Sequence, residues 1–184
     1  MVGSFFRLAA AAAFSALLAG CATAPDNNFP RAMPKQGAVM TVPGKPISCV
    51  PYARAHSAID IRGDAYTWWD KAQGHFRRSA APSPGSVIVL AGYAGSKRAH
   101  VAVVRRVVSA REIRVDHANW LNNGAVFLDD PIADISSAND WSQVLVWNIE
   151  TNSWGTHAYK VQGFIGPRGQ DDPIRLARRD PDEY

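Results

Sequence analysis

The stretch HVAVVRRVVSAREIRVDHANW, residues 100–120, decides the fold expected of this chain. Its two halves are rich in β-branched residues and flank the turn-like SARE, a pattern that predicts a hairpin of two antiparallel strands. The simplest register pairs Val108 with Ile113 across the turn. Upstream, the apolar VIVL follows the Pro- and Gly-containing APSPGS and predicts a further strand. The segment therefore indicates a small antiparallel sheet.

One face of this hairpin carries three polar side chains that suit catalysis. Successive side chains of a strand point to opposite faces, so His100, His117 and Asn119 share a face and Asp116 lies on the other. In the expected register His117 opposes Val104, and His100 is diagonal to Asn119. An imidazole with a polar neighbour is the arrangement of a general base and the group that orients it. His100 is therefore the expected base, and His117 and Asn119 are both candidates for orienting it.

A nucleophile for this base is expected upstream, in KPISCVPYARAHS, residues 45–57. Ser48 is a suitable N-cap, and the helix-forming residues after it predict a helix that continues to Gly63. Cys49 then lies at the helix N-terminus, where unpaired N–H groups and the helix dipole stabilise a thiolate and a developing oxyanion. His56 lies seven residues along the same helix, too far to share a proton with Cys49. A lone Cys or a lone His is more often a packing residue, but together they favour a catalytic pair.

These motifs are similar, in their order and spacing, to those of one family. CVPYARAHS, GDAYTWWDKA, PSPGSVIVL, HVAVV and IRVDHANW resemble the CHAP domain, the cysteine- and histidine-dependent amidohydrolase/peptidase family with a papain-like fold. The resemblance covers roughly residues 45–120, and VLVWNIETNSWG and YKVQGFI resemble the closing strands of such domains. It implies an α+β, papain-like CHAP fold with N-terminal helices packed on a small antiparallel sheet. It also implies Cys49 as the nucleophile and His100 as the general base.

One position departs from the pattern of the family. Most members carry a Glu two residues before an Asn, whereas this chain has His117 two residues before Asn119. A neutral His117 can accept a hydrogen bond from the His100 imidazole, but it adds no negative charge. Either His117 or Asn119 could orient the base, and catalysis would be weaker or differently tuned than with a Glu.

The activity that the resemblance implies is hydrolysis of amide bonds in the peptides of peptidoglycan. The enzyme would be an N-acetylmuramoyl-L-alanine amidase or an endopeptidase that acts through a thioester intermediate. This chemistry needs no metal and no organic cofactor, and no cluster of His and acidic residues in the sequence predicts a metal site. Two alternatives stay open: a thiol amidase acting on another envelope peptide or small amide, and a catalytically weak lipoprotein that binds the cell wall. We expect a monomer with peptidoglycan as its partner.

The N-terminus predicts export and anchoring to a membrane. Residues 1–20 contain Arg7 followed by the apolar LAAAAAFSALLAG, a run too short to span a bilayer and typical of a signal peptide. The run ends in LAGC, which resembles a bacterial lipobox, so Cys21 would carry the lipid and Cys49 would be the only thiol of the mature chain. An ordinary signal peptide followed by an incidental Cys is the alternative. The expected location is the cell envelope, on the outer membrane facing the periplasm if the host is Gram-negative.

A single domain is expected after the signal peptide. The Pro-dotted stretch 21–46 predicts a lipidated N-terminus and an extended linker, and residues 47–167 form the expected CHAP domain. Residues 168–184 mix charges with Pro and Gly, as a disordered tail does. The formal net charge of +4 suits an anionic envelope polymer. It is too small for a nucleic-acid-binding surface, so no nucleic-acid partner is expected.

Overall fold

The structure, a computed structural model, describes residues 38–92 and 95–169. The predicted signal peptide, Cys21 and nearly all of the predicted tail lie outside these residues. Within them, no helix is both long and apolar enough to cross a lipid bilayer. The helical elements are α1 (Cys49–His56), a short 3-10 helix (Ala65–Thr67) and α2 (Trp68–Lys71). The strands are β1 (Val39–Thr41), β2 (Arg77–Ser79), β3 (Val87–Ala91), β4 (Ala99–Ser109), β5 (Glu112–Ala118), β6 (Val126–Asp134), β7 (Gln143–Asn148), β8 (Ser153–Trp154) and β9 (Tyr159–Gly166).

Six of these strands form a closed antiparallel barrel. The order around the ring is β6, β5, β4, β3, β9 and β7, and β7 then pairs with β6, where Ile132 lies opposite Val146. The short strands extend the barrel strands: β1 pairs with β6, β2 with β9 and β8 with β7. Because the ring closes, each of its six strands has a hydrogen-bonded neighbour on both sides. β1 lies inside the stretch 21–46 that the sequence analysis assigned to the linker.

The expected α+β papain-like CHAP fold, with N-terminal helices packed on a small antiparallel sheet, is wrong for this chain. The described residues are mostly sheet, with the closed barrel at their centre and two short α-helices. α1 ends at His56 rather than near Gly63, because Ser57 takes an extended conformation. The Ser57 hydroxyl donates to the carbonyl of Ala53 and accepts from the N–H of Ile59. A side chain bonded in this way competes with continuation of the helix.

The central hairpin is confirmed as β4 and β5, but its register is not the expected one. Ile113 pairs with Val107 instead of Val108, because a bulge between Val107 and Ser109 inserts one residue next to the turn. A second irregularity follows Val104 in the same strand. The strand predicted over VIVL is also confirmed, as β3.

Two clusters of buried apolar side chains occupy the two faces of β3 and β4. The first, which we call the helix cluster, lies between these strands and the helices and includes Val87, Val89, Val101, Val103, Ile59 and Trp68. The second, the interior cluster, draws residues from all six barrel strands and includes Ile88, Ala102, Val115, Ile132, Val146 and Phe164. Burial on both faces explains why β3 and residues 101–104 of β4 are continuous apolar runs instead of alternating ones.

Candidate active site

Cys49 is the first residue of α1, and Ser48 is confirmed as the N-cap. The cysteine is half-buried and packs against the helix cluster, as does Ala99 at the start of β4. The backbone N–H of Val101 donates a hydrogen bond to the thiol. Ala99 and Val101 are the two chain neighbours of His100. The start of the helix therefore holds the thiol against the segment of β4 that carries the expected base.

The Cys49 thiol is protonated at neutral pH. Burial raises its pKa above the ordinary value of 9.0, and hydrogen bonds from the N–H groups of Val101, Val50 and Cys49 itself lower it by less. The sequence analysis expected the helix N-terminus to favour the thiolate, but desolvation outweighs that effect. The same N–H groups can stabilise the sulfur anion once the proton has left.

His100, His117 and Asp130 form a buried chain of hydrogen bonds. The His100 Nε2 lies 2.9 Å from the His117 Nδ1, and the His117 Nε2 lies 2.9 Å from the Asp130 Oδ2. The three residues are 3%, 1% and 0% exposed, so water is excluded from all three side chains. The Trp120 ring packs edge-on against both imidazoles, with ring centroids 4.8 and 5.6 Å away. The structure thus joins two of the expected site residues to a carboxylate.

A bulge in β6 brings Asp130 to the same face as His117. Val115 pairs with Asp130 and His117 pairs with Phe127, so β6 uses one more residue than β5 over this interval. Asp129, inside the bulge, takes a left-handed φ of 53°. Regular alternation would put Phe127 and Asp130 on opposite faces, because they are three residues apart. The extra residue turns both toward His117.

Asp130 is the site residue that the sequence analysis missed. The analysis considered Asp116, the nearest carboxylate in sequence, and placed it on the face opposite His117. That placement is confirmed, because Asp116 pairs with Arg105 and accepts a hydrogen bond from the N–H of Asp129. The signal available for Asp130 was the polar pair in FLDDPIAD, a strand that is otherwise apolar.

Asn119 is bonded to the loop that follows β5. Its Oδ1 accepts from the N–H of Gly124 at 2.8 Å, and its own N–H donates to the carbonyl of Ala125 at 2.7 Å. It has a left-handed φ of 63°. Of the two candidates for orienting His100, His117 is the one whose hydrogen bond to the base the structure records.

The ionisation of the buried chain follows from its surroundings. Burial, and then the nearby His117, hold the pKa of His100 well below its ordinary value of 6.5, so this imidazole is neutral at pH 7. Burial raises the pKa of Asp130 from 3.8, against the hydrogen bond from His117 and the charge of Arg114, which lower it. A neutral imidazole is the state that can accept a proton from the thiol.

A cavity of about 500 Å³ opens beside Cys49. Its walls come from the start of α1, the loop before α2 and the residues leading into β4. Asp64 lies on one wall, and Lys97 and Arg98 lie on another. Charges of both signs therefore line the space next to the thiol. Within the described parts of the chain, no three His, Cys, Asp or Glu residues are grouped so that they could hold a metal ion.

Comparison with known proteins finds one family that part of the chain resembles. Residues 40–119 match the family model of the CHAP domain, and a search of curated proteins finds no match. The matched segment includes Cys49, His100 and His117, and it ends before β6, so the strands that complete the barrel lie beyond it. CHAP domains are in general amidase or peptidase hydrolases related to peptidoglycan. Residues 40–119 of this chain are therefore similar to the CHAP domain, the family that the sequence motifs predicted.

Proposed function

We propose that this protein is a cysteine hydrolase of the cell envelope that cleaves an amide bond in peptidoglycan peptides through a thioester on Cys49. The position of Cys49 carries the proposal. The thiol lies at the start of α1, lines a cavity, and accepts a hydrogen bond from Val101, the residue that follows His100. A nucleophile and room for a substrate therefore occur together, and the neutral base is the residue of β4 between Ala99 and Val101, which both pack beside them.

The proposed reaction starts from a neutral pair, because burial disfavours the charged form of both Cys49 and His100. His100 accepts the thiol proton while the sulfur attacks the amide carbonyl, and N–H groups at the helix start stabilise the oxyanion. The C–N bond then breaks as His100 passes the proton to the leaving amine, which leaves a thioester. Water, deprotonated by His100, attacks the thioester and regenerates the thiol.

The cavity charges support a peptide substrate that carries ionised groups. Lys97 and Arg98 can bind a carboxylate, and Asp64, which also lines the cavity, can bind an amino group. Stem peptides of peptidoglycan contain both groups.

A second candidate function, wall binding without turnover, is favoured by one observation. The raised pKa of the Cys49 thiol leaves little thiolate at neutral pH, and the thiolate is the attacking species in cysteine catalysis. A binder would still use the charged cavity to hold the peptide.

Digestion of purified peptidoglycan by the full chain separates the two functions. We expect wild type to release new amino groups, with mass spectrometry of the fragments identifying the bond cut. Cys49→Ala should abolish release, and His100→Ala should lower it by roughly 100-fold or more. His56→Ala is the matched control and should leave activity near wild type, because His56 is exposed and stacks on Tyr52. If wild type releases nothing while Cys49→Ala still sediments with the wall, the binding function replaces the hydrolase.

A further inference from the structure

We propose that Asp130 is a positioning residue that acts on His100 through His117 and supplies the negative charge which His117 itself lacks. This inference rests on the proposed function, since it assigns a role in the same reaction. Asp130 lies in β6, beyond the segment that matches the family. Its role therefore has to be argued from its own contacts.

The Asp130 carboxylate is buried with only one of its two oxygens in a recorded hydrogen bond. The Asp130 Oδ2 is hydrogen-bonded to His117, whereas its Oδ1 is buried without a hydrogen-bond partner. A buried carboxylate oxygen that lacks a partner costs stability. A residue selected for packing would avoid that cost, whereas a carboxylate that must face an imidazole tolerates it.

The ionised state of Asp130 fixes the direction of both hydrogen bonds in the chain. An ionised carboxylate can only accept, so the proton between Asp130 and His117 belongs to the His117 Nε2. The His117 Nδ1 then carries a lone pair and accepts from the Nε2–H of His100. This leaves the lone pair of the His100 ring on Nδ1. Through His117, Asp130 thereby determines which ring nitrogen of His100 takes the thiol proton.

Asp130 also supplies a negative charge near the base. When His100 accepts the proton of Cys49, a positive charge appears in a region from which water is excluded. Such a charge is costly unless an opposite charge is near. Asp130 provides that charge through the polarised His117 and need not itself accept a proton, as in triads where the acid orients an imidazole. His117, which replaces the Glu of the family without its charge, is thus hydrogen-bonded to a second residue that is a carboxylate.

The groups that face this chain define its expected pH response. Asp130 faces His117 and the positive charge of Arg114 from β5, and the carboxylate of its neighbour Asp129 on β6. The Asp129 carboxylate is itself paired with Arg106 at 2.8 Å and with Arg114 at 3.4 Å. Loss of the Asp130 charge should lower the pKa of the histidine pair, because a nearby anion favours the imidazolium.

A measurement on wild type tests the hydrogen-bond directions without any variant. With ¹⁵N-labelled histidine, two-dimensional NMR above pH 6.5 distinguishes the protonated from the unprotonated ring nitrogen of each imidazole. We expect protonated Nε2 and unprotonated Nδ1 in both His100 and His117, assigned with His100→Ala and His117→Gln. A proton on the His117 Nδ1 would overturn the proposal, because Asp130 would then not be the acceptor.

The kinetic test compares Asp130→Asn with Asp140→Asn in the full chain. Asp→Asn in the Ser-His-Asp triad costs about 10⁴-fold in turnover; here one imidazole intervenes, so we expect Asp130→Asn to lower kcat by at least about 10-fold with little change in KM. The acid limb of its pH–rate profile should also move to lower pH. Asp140→Asn removes an exposed carboxylate in the loop between β6 and β7, away from the buried histidines, and should change neither the limb nor kcat.

The outcomes separate this inference from the proposed function. An Asp130→Asn enzyme with the kcat and pH profile of wild type would overturn the positioning role while leaving Cys49 hydrolysis intact. A merely structural role would lower activity without moving the acid limb, and that result would also overturn it. Wild type could hydrolyse no peptidoglycan, or Asp130→Asn could fail to fold. In either case the NMR measurement of the wild-type tautomers of His100 and His117 still decides whether Asp130 accepts from His117.

Discussion

The Nε2 of His117 lies 2.9 Å from the Oδ2 of Asp130, with both side chains buried inside the barrel. His117 stands where most CHAP domains have a Glu, and it contacts His100 through its other ring nitrogen. The carboxylate missing at position 117 is therefore present one strand further along, behind the imidazole. This relationship changes what substitutions at position 117 should do.

We predict that His117→Glu lowers activity, although Glu is the usual residue of the family there. The new carboxylate would lie against Asp130, and two adjacent buried carboxylates cannot both ionise without cost. Loss of the buried pair should also lower the free energy of unfolding by about 3 kcal/mol. Adding Asp130→Asn removes the second charge, so the double variant should be more active and more stable than His117→Glu alone. The measurements are hydrolysis rates on purified peptidoglycan and free energies of unfolding in denaturant. A single variant that equalled or exceeded the double variant in both would refute this prediction.

The reactivity of Cys49 should reflect a thiol, not a thiolate. Because burial raises its pKa above 9.0, the thiolate fraction falls about tenfold for each pH unit below that pKa. Iodoacetamide should therefore alkylate Cys49 more slowly than it alkylates glutathione at pH 7. The rate for Cys49 should still rise above pH 9. Peptide mapping separates this label from any on Cys21. A labelling rate already constant between pH 6 and 8 would show that the thiol is ionised instead.

Much of the local structure was predictable because it depends on neighbouring residues. The β-branched runs fixed β3 and the β4–β5 hairpin, and Ser48 with the residues after it fixed the start of α1. Period-two alternation placed His100 and His117 on one face, and their hydrogen bond follows from that. These features need no information from distant parts of the chain.

The features that were not predicted depend on non-local contacts. Closure of the barrel requires β6 to pair with β7 as well as with β5, which no local pattern encodes. The position of Asp130 depends on a bulge that reverses the alternation of β6, so counting residues from Phe127 gives the wrong face. The raised pKa of Cys49 depends on burial by residues that are remote in sequence, and this burial outweighs the effect of the helix end.

The cationic wall of the cavity should contribute to substrate binding. We expect Lys97→Gln and Arg98→Gln each to raise KM by about 2- to 5-fold, the range for an exposed charge pair, while kcat stays within about twofold. Lys160→Gln, an exposed substitution on β9, is the control and should leave both constants unchanged. Amidation of the substrate carboxylates should remove the difference between wild type and the cavity variants. Equal KM values for all four proteins would show that these cations do not contact the substrate.

Anchoring through Cys21 is a separate prediction from the lipobox-like LAGC. The protein expressed in bacteria should incorporate labelled palmitate and partition into the detergent phase of a Triton X-114 extract. Cys21→Ser should lose both properties, whereas Cys49→Ser should retain them. If Cys21→Ser behaves like wild type in both assays, the chain is not a lipoprotein.

The most direct test of the central claim is mass spectrometry of the enzyme after rapid acid quenching of its reaction with soluble peptidoglycan fragments. The account predicts that a proteolytic peptide containing Cys49 gains the mass of the acyl part of the cleaved peptide, and that hydroxylamine removes this mass. His100→Ala should show little of the adduct. Cleavage that proceeds with Cys49 unmodified, and that persists in Cys49→Ala, would contradict the account.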